Sequence, residues 1–599
     1  MLTRQDVRDR RDRLITQAFE APAPVLIDAL PSIGKSYGVV KWAAETGNPL
    51  TIFTARHKLF NQYKEWCEDH GLQPQKLPSF HNDCETANGD YGPEWKQRVR
   101  DQYDRIGLLP GEIHKRAKDL FGEPLPCQRE GDCSYLAARG FDPDQFDVLI
   151  GHYKHAHVPE RVKDRYVVFD EFPSDGFLHK YDSKKVNNAV GSYLQKHDEL
   201  PFEFVRDLRE YRRDPEHKQE GREWFKRRNP KLKRDVSGAV ENSGGNGHPE
   251  APAMAYAILV AEDLDNRWEF SQLSDGRVAV TNPADGTLTI LSRPSLSDAT
   301  SVIALDGTPT VEKWQLMLGT ELQHRPVLSD EEKKVYFRET LGVRVIQTTE
   351  AANHYSGLST ISVTPQQDLA LIEAVGRRET VKPTIITSQP AEKEYLKCGL
   401  EELIEDVEHY GNFKGSNRFG KIRVGIVVGS PHYGDNKIQK WCALAGESVI
   451  RAEGTKGVGQ DFGPYGNQIL HGMRENEVLQ AVMRFGRDAG GATVYVHTGA
   501  LPEWVERDEY ATVIRKWADG MYEVLDVIKR FGEPEWRTTD ISEEVSISEQ
   551  QTRKHLKSLT SFGYIGCRRA GRGYTWSDEK LDTIGKLGHV EFGPGKLAS

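Results

Sequence analysis

Apolar and polar positions follow one another along the chain in a pattern that predicts strands and helices in turn. A helix is expected over about residues 3–20, followed by the apolar run APVLIDAL, a glycine-containing loop and the helix SYGVVKWAAETG. Further strands are expected at PLTIFTA, FDVLIGH, RYVVFDEF and SVIALDGTPT. Buried strands separated by helices are typical of a parallel α/β sheet covered on both faces.

A second α/β block is expected over about residues 340–505, with strands at PTIITS, IRVGIVVG and ATVYVHTG. Between the blocks, residues 203–234 are a charged helical stretch, and residues 236–253, rich in Gly, Ser, Asn and Pro, are predicted to be flexible. Residues 268–293 alternate around two Asp-Gly turns, which predicts a small antiparallel sheet.

The length and charge of the chain limit the classes of protein to which it can belong. A chain of 599 residues is too long for one hydrophobic core, and about four domains are expected. The charged start of the sequence, with no long apolar run after it, predicts a cytoplasmic protein that has no membrane partner. The net charge of -10 argues against a general coating of nucleic acid, but a basic patch on one domain is compatible with it.

The stretch ALPSIGKS ends like a phosphate-binding loop but opens with Ala29 where such loops have Gly. A loop of this kind, between a strand and a helix, offers backbone N–H groups and a lysine to phosphates and a hydroxyl to Mg²⁺. The alternative is an ordinary helix start with a surface lysine. The candidate nucleotide-binding residues are Ala29, Ser32, Ile33, Gly34, Lys35 and Ser36, and Ser36 is also a candidate Mg²⁺ ligand.

Two acidic residues, Asp170 and Glu171, end the apolar run YVVF. A metal-bound nucleotide needs a carboxylate at the tip of a neighbouring strand, so Asp170 is expected to hold Mg²⁺ through water and Glu171 to polarise the attacking water. The alternative is a strand that ends in solvated acids.

The stretch EVLQAVMRFGRDAGG carries Gln480, Arg484 and Arg487, which would share one face of a helix at i, i+4 and i+7. We interpret the arginines as fingers that stabilise charge on a transferring phosphoryl group. An ion-pair seam is the alternative.

Five stretches in this order resemble motifs I, Ia, II, III and VI of superfamily 2 helicases: ALPSIGKS, TIFTARHKLFNQYKEW, VVFDEF, ALDGTPT and QAVMRFGR. Cysteines between the second and third of them, and FDVLIGHYKHA before VVFDEF, resemble the XPD/DinG group of that superfamily. FKGSNRF lies where motif V would be. The resemblance therefore implies that Gly415, Ser416 and Asn417 are coupling residues. The alternative is a simple glycine turn.

The resemblance implies an α/β fold of two RecA-like P-loop NTPase domains, with ATP and Mg²⁺ in the cleft between them and single-stranded nucleic acid across the top. The first domain would span residues 1–325, with a cysteine-containing insertion at about 76–145 and a helical, flexible insertion at about 200–290. The second would span residues 326–510, and a C-terminal domain residues 511–599.

The sequence departs from the family pattern at two motifs. Asp-Glu-Phe-Pro stands where the family has Asp-Glu-Ala-His, so Pro173 replaces the histidine that helps to couple hydrolysis to strand movement. Asp306, Gly307 and Thr308 replace Ser/Thr-Ala-Thr, and Asp306 and Thr308 are the expected coupling residues here. Hydrolysis is expected to survive, while coupling to unwinding is in question. The departures point to a divergent branch of viral or plasmid type.

Four soft ligands lie in the loop-rich segment: His81, Cys84, Cys127 and Cys133. Zinc would suit that set. With Cys67 as the fourth ligand the set would be all-cysteine and would resemble the 4Fe-4S site of the family, although Cys67 also fits a buried core position.

The last part of the chain, about residues 515–580, resembles a winged helix-turn-helix domain: three helical patterns and a Gly-Arg-Gly hairpin. A winged helix that binds protein is the alternative. The expected DNA contacts are Thr552, Arg553, Lys554 and Lys557 on the recognition helix and Arg568, Arg569 and Arg572 on the wing.

Together these features favour an ATP-dependent DNA helicase or translocase that acts in replication or repair. Its expected partners are single-stranded and duplex DNA, with replication or repair proteins. The alternative is a nucleotide-switched DNA-binding regulator or initiator, but such proteins have one ATPase core, whereas this sequence has a second α/β block ending in Gln480, Arg484 and Arg487.

Overall fold

The structure, a computed structural model, describes residues 2–55, 57–129, 131, 133–173, 176–197, 199–200, 202–241, 246–355, 363–412, 418–488, 490–508, 511–531, 535–571 and 573–593. Within these residues no helix is both long enough and apolar enough to cross a membrane.

The first sheet has seven strands, and every neighbouring pair in it is parallel. The sequence alternation therefore predicted this sheet correctly. Its register aligns Asp28 with Asp306 and Leu305 with Asp170, so three strands end at the same edge. Across the sheet the strands are Gln323–Pro326, Val25–Asp28, Ser301–Asp306, Tyr166–Asp170, Leu50–Thr54, Val148–Gly151 and Pro74–Lys76.

The chain begins with a helix, Arg4–Phe19, that Thr3 caps by accepting a hydrogen bond from the Asp6 N–H at 3.1 Å. This helix packs against Lys35–Thr46, which follows the loop ALPSIGKS. The helix His57–Asp69 packs against Lys35–Thr46 as well. Val311–Leu318 follows the strand Ser301–Asp306.

The cysteine-containing insertion is built from short helices around its own core, which includes Cys84, Cys127 and Cys133. The sequence predicted irregular structure here, because most of these helices are shorter than two turns and show no clear 3.6-residue period. The helices are Phe80–Asp83, Glu85–Asn88, Pro93–Arg100, Asp101–Ile106 (a π-helix), Pro110–Lys115, Ala117–Phe121, Pro126–Arg129 and Ser134–Ala137.

A second insertion lies between Asp170 and Ser301 and contains a five-stranded antiparallel sheet, of which the sequence predicted the central meander. The strands are Leu178–Tyr181, Thr287–Leu291, Val278–Asn282, Glu269–Gln272 and Glu262–Asp263. Its helices are Ser183–Leu194, Val205–Tyr211, Pro215–Arg228, Val236–Glu241 and Ala251–Val260.

The prediction of a flexible segment over 236–253 is wrong at its two ends. Val236–Glu241 is a helix, and its Ala239 and Val240 are buried in the same core as Cys84. Ala251–Val260 is a helix whose ten residues are all buried. The turn-forming residues in the middle of this segment led to the prediction that its helical ends are flexible too. Residues 242–245 lie outside the described residues.

The second lobe is a five-stranded, fully parallel sheet. Its strands, in order, are Val343–Gln347, Ala492–His497, Val424–Val428, Thr384–Thr387 and Asp406–His409. The helices of this part of the chain are Asp330–Val335, Tyr336–Thr340 (a π-helix), Pro365–Glu379, Gln389–Lys397, Asp435–Ala443, Gly463–Met473 and Glu475–Val482.

The C-terminal region has its own apolar core, centred on Trp517, Leu556 and Trp576. Its helices are Asp519–Phe531, Thr538–Ser542 and Glu549–Ser561, and its antiparallel strands are Glu535–Arg537, Gly573–Asp578 and Ile565–Ala570. A two-stranded ribbon, Ala511–Lys516 with Gly588–Gly593, packs on the second-lobe helix Pro365–Glu379. Short 3₁₀ turns complete the chain at Pro143–Gln145, Tyr153–His157, Pro159–Arg161, Leu400–Glu402, Gly457–Gly459 and Leu581–Thr583.

Candidate active site

A cavity of about 480 Å³ lies between the carboxyl edge of the first sheet and the second lobe. It brings together candidate residues from four separate stretches of sequence, as the motif order predicted. They are Ser32, Gly34, Lys35, Ser36, Asp170, Glu171, Asp306, Gln480, Arg484 and Arg487.

The loop ALPSIGKS takes two residues into the left-handed region, Ser32 at φ 74° and Gly34 at φ 84°. Ile33, between them, is buried, as is Ala29. Ala29 lies outside the left-handed region, and its N–H donates to the Asp306 carbonyl at 2.9 Å. The first loop position therefore needs no glycine, and Ala29 is compatible with a phosphate-binding loop.

Lys35 and Ser36 begin the helix Lys35–Thr46, whose N-terminus carries the positive end of the helix dipole. The Ser36 hydroxyl donates to both oxygens of Asp170, at 3.1 and 3.0 Å. Asp170 also accepts a hydrogen bond from the Tyr63 hydroxyl at 2.7 Å. Ser36 and Asp170 form a hydroxyl–carboxylate pair of the kind that binds Mg²⁺ with a nucleotide.

Burial raises the pKa of Asp170 to about 6, even though the nearby Lys35 acts in the opposite direction. Tyr63 is fully buried, and burial raises the pKa of its phenol well above the ordinary value. The phenol therefore stays protonated and remains a donor to Asp170.

Glu171 leaves the strand with a left-handed backbone, φ 67°, which turns it away from the strand direction. Its N–H donates to the Leu305 carbonyl at 2.9 Å, and its own carbonyl accepts from the Tyr153 hydroxyl at 2.8 Å. These hydrogen bonds hold Glu171 in a backbone conformation that is unfavourable for a residue other than glycine. Glu171 lines the cavity.

Thr308 joins the first lobe to the second, and Asp306 holds the backbone of Thr308. The Asp306 carboxylate accepts from the Thr308 N–H at 3.1 Å and from Trp314 Nε1 at 2.8 Å, and burial raises its pKa. The Thr308 hydroxyl accepts from Gln480 Nε2 at 2.7 Å, and the Thr308 carbonyl accepts from Asn476 at 3.1 Å. Both predicted coupling residues therefore lie at the contact between the lobes.

The second-lobe arginines lie in the cavity but are not on one continuous helix, so that part of the prediction is wrong. Glu475–Val482 ends before Arg484, and Gly486 takes φ 63°, which breaks the helical path. Arg487 Nε donates to the Met483 carbonyl at 2.7 Å. Burial, together with the neighbouring positive charge of Arg484, lowers the pKa of Arg487 to about 9.

Sequence reasoning missed several residues that line this cavity. Tyr37 follows Ser36 directly and Asp488 follows Arg487 directly, which was the available signal. The others are brought in only by the fold: Gln62 and Trp66 of the first lobe and Gly420 and Lys421 of the second. The candidate coupling residues Gly415, Ser416 and Asn417 lie outside the described residues.

A second cavity, of about 370 Å³, adjoins the first and shares Glu171, Asp306 and Gln480 with it. We call it the aromatic cleft; its walls carry Phe172 and Lys313 from the first lobe and Tyr433, Lys437 and Trp441 from the second.

Lysine and aromatic side chains pair across and along the aromatic cleft. Lys313 Nζ lies 4.4 Å from the Phe172 ring centroid and 4.7 Å from that of Trp441. Lys437 Nζ lies 4.1 Å from the Tyr433 ring centroid. The cleft therefore combines positive charge with flat apolar faces.

The cysteine-containing insertion gathers Cys84, Cys127, Cys133 and His114, whose ligand atoms all lie within 4.8 Å of one another. The predicted His81 is not part of this group; its ring faces Asp104 at 3.8 Å. His114 replaces it because the helix Pro110–Lys115 points that side chain into the buried core.

Cys67, the alternative fourth ligand, is outside the group too. It is fully buried in the core of the first lobe, and burial raises the pKa of its thiol to about 12. The structure therefore supports the interpretation of Cys67 as a core residue.

In the C-terminal region, Thr552 does not face outward as expected. It is fully buried, and its hydroxyl donates to the Ser548 carbonyl at 3.1 Å, because it continues the apolar stripe of Leu556 and Leu559. Lys554 and Lys557 are exposed on the same helix, and Arg553 pairs with Glu549 at 2.5 Å.

The wing candidates Arg568 and Arg569 lie on the exposed strand Ile565–Ala570, and Arg568 pairs with Glu535 at 2.5 Å. Arg572 lies outside the described residues.

No family model matches the chain, and no curated protein matches it. Solved structures do resemble it. One described as an XPD helicase aligns over 82% of this chain and 95% of its own, with a TM-score of 0.41 and 11% identity. One described as S. tokodaii Xpd4 aligns over 84% and 99%, with a TM-score of 0.40 and 11% identity.

Proposed function

We propose that this protein is an ATP-hydrolysing motor, a helicase or translocase, that acts on single-stranded DNA. One observation carries the proposal: a single cavity joins Lys35, Ser36 and Asp170 of one parallel-sheet lobe to Arg484 and Arg487 of another. A site completed by two lobes can open and close as the nucleotide changes, so hydrolysis can move the lobes relative to each other.

The residues present fit the chemistry of ATP with Mg²⁺. Lys35 and the N–H groups at the helix start would bind phosphates, and Ser36 with Asp170 would hold Mg²⁺, which neutralises charge on the phosphates. Glu171 would orient the attacking water, and Arg484 and Arg487 would stabilise negative charge on the transferring group.

The aromatic cleft supports a single-stranded substrate. Bases can stack on the exposed ring of Tyr433, and lysines attract the phosphate backbone, which is the combination that binds single strands without sequence preference. Because the cleft shares Glu171, Asp306 and Gln480 with the nucleotide cavity, a strand bound in it would lie next to the site of hydrolysis.

We interpret the C-terminal region as a winged helix that binds duplex DNA through Arg553, Lys554 and Lys557, with Arg568 and Arg569 on the wing. The support is the order of three helices and an antiparallel hairpin, and a surface recess lined by these recognition-helix residues.

We propose that the insertion holds zinc. Ligand atoms arranged tetrahedrally at about 2.3 Å from one ion lie about 3.8 Å apart. Cys84 Sγ lies 3.9 Å from Cys127 Sγ and 3.7 Å from His114 Nε2, which fits one ion. His114 Nδ1 is held by the Pro110 carbonyl at 2.7 Å, the outer contact that zinc-binding histidines usually make. A 4Fe-4S cluster would need its ligands farther apart.

ATP hydrolysis with and without single-stranded DNA, measured for the wild type, Lys35→Ala and Arg487→Ala, tests the motor proposal. We expect stimulation by single strands and its loss in both variants. Slow hydrolysis that ignores both single strands and Arg487 would contradict the motor and favour a nucleotide switch that acts through the C-terminal region.

A further inference from the structure

Arg11, on the N-terminal helix Arg4–Phe19, contacts the phosphate-binding loop from behind. Its Nη1 donates to the Ile33 carbonyl at 2.9 Å and to the Gly34 carbonyl at 2.6 Å. Arg11 is only 3% exposed, so these bonds form in a place that water hardly reaches. A charged donor there holds both peptide groups in one orientation.

The surroundings of Arg11 are shaped to accept its guanidinium. A Cβ at Gly34 would lie 2.7 Å from Arg11 Nη1, and a Cβ at Gly38 would lie 2.8 Å from Arg11 Nε. Asp12 accepts from Arg11 Nε at 2.7 Å and from Lys41 Nζ at 3.0 Å, which balances the buried charge. The guanidinium therefore has a built site against the loop.

The preceding residue, Arg10, contacts the segment that connects the lobes. Its Nη1 lies 2.5 Å from Glu332 in the helix Asp330–Val335. In the same helix, Lys333 Nζ donates at 2.9 Å to Asp28, the last residue of the strand before the phosphate-binding loop. The connecting helix is thus tied to both the N-terminal helix and the strand.

The start of the N-terminal helix contacts the second lobe. Arg4 Nη1 donates to the Arg487 carbonyl at 3.4 Å, and the Leu2 carbonyl accepts a hydrogen bond from the Thr340 hydroxyl. One helix therefore contacts the phosphate-binding loop at Arg11 and the arginine segment at Arg4, seven residues or about two turns apart.

We propose that the helix Arg4–Phe19 is a positioning element, in which Arg11 presets the phosphate-binding loop for ATP and Arg4 sets the arginine segment of the second lobe. This inference rests on the proposed function and deepens it, because it names how the two halves of the site are kept in register. Neither residue lines the nucleotide cavity, so both act through groups that do.

The two contacts predict different kinetic effects. Arg11→Met keeps the length of the side chain but removes its hydrogen-bond donors. We expect the KM for ATP to rise about tenfold with kcat nearly unchanged. A change of about tenfold in KM is what the loss of one charge-assisted hydrogen bond gives. Arg11→Lys keeps the charge and should restore part of the affinity. Arg4→Gln should leave the KM unchanged and lower kcat with single-stranded DNA.

Arg13→Gln is the matched control, because Arg13 lies exposed on the same helix. Thermal unfolding of every variant checks the fold. If Arg11→Met proves unstable, Arg11→Lys tests the contact with the phosphate-binding loop, and Arg4→Gln, at a partly buried position, tests the contact with the arginine segment.

Binding of trinitrophenyl-ATP separates the two proposals. A wild type that binds this probe without hydrolysing ATP contradicts the motor alone, and weaker probe binding by Arg11→Met then still supports the inference. Folded Arg11→Met and Arg4→Gln proteins that match Arg13→Gln in KM, kcat and probe affinity would overturn the inference and leave the motor intact.

Discussion

Replacing Tyr63 with phenylalanine should make Mg²⁺ binding sensitive to acid. The change removes only the hydroxyl that donates to Asp170 at 2.7 Å. A hydrogen bond to a charged group contributes about 1.5–3 kcal/mol, so its loss should raise the pKa of Asp170 by about one unit or more. Starting from a pKa of about 6, Asp170 in the variant would titrate near neutral pH.

The size of the effect follows from competition between a proton and Mg²⁺ for one carboxylate. With a pKa of about 6, protonation weakens Mg²⁺ binding about twofold at pH 6, whereas with a pKa of about 7 it weakens binding about elevenfold. At about pH 8 both proteins are almost fully ionised and should differ little.

The assay is ATP hydrolysis as a function of Mg²⁺ concentration at pH 6 and pH 8. Tyr336→Phe is the control, because Tyr336 is also buried but lies outside the cavity. If the half-saturating Mg²⁺ concentration changes with pH by the same factor in Tyr63→Phe and in the wild type, Tyr63 does not tune Asp170 and the reasoning is refuted.

Three further outcomes are expected. His114→Ala should lose bound zinc, measured by elemental analysis of the purified protein, while His81→Ala keeps it; equal zinc in both would contradict the ligand set. Asp170→Asn should raise the midpoint of thermal unfolding at pH 8, because a carboxyl whose folded pKa is raised from 3.8 to about 6 costs up to about 3 kcal/mol when ionised. This cost is present above the folded pKa and vanishes below the unfolded one, so a gain that persists at pH 3.5 would contradict it. Thr308→Val removes the acceptor for Gln480 and should reduce stimulation of hydrolysis by single-stranded DNA by about fivefold, the ratio for a hydrogen bond of about 1 kcal/mol, with basal hydrolysis kept; a fall in basal hydrolysis alone would argue against coupling.

Residues at the ends of strands could be predicted from the sequence, because the local pattern of apolar residues determines where a strand ends. Lys35, Asp170 and Asp306 each follow an apolar run that forms a strand of one parallel sheet, and such runs share an edge. Arg484 and Arg487 were placed at the cavity, although the helix that was to present them ends earlier.

One error concerns distant parts of the chain that meet in the fold, and another concerns the faces of a single helix. His81 is predicted as a ligand because it lies near Cys84 in sequence, whereas the folded insertion brings His114, thirty positions from Cys84, to the same sulfur. Thr552 was assigned to the surface by its polarity, but its spacing from Leu556 already matched the buried stripe of that helix.

The core shared by the two insertions has a consequence for how the protein comes apart. Ala239 and Val240 are buried against the group around Cys84, and Arg234 binds Glu112 at 3.0 Å. Chain segments more than a hundred residues apart therefore share one core, and we expect them to unfold together. Removal of the proposed zinc ion should expose protease sites in the cysteine-containing insertion and in Val236–Glu241 at the same time, and deletion of Val236–Glu241 should uncover one side of the core around Cys84.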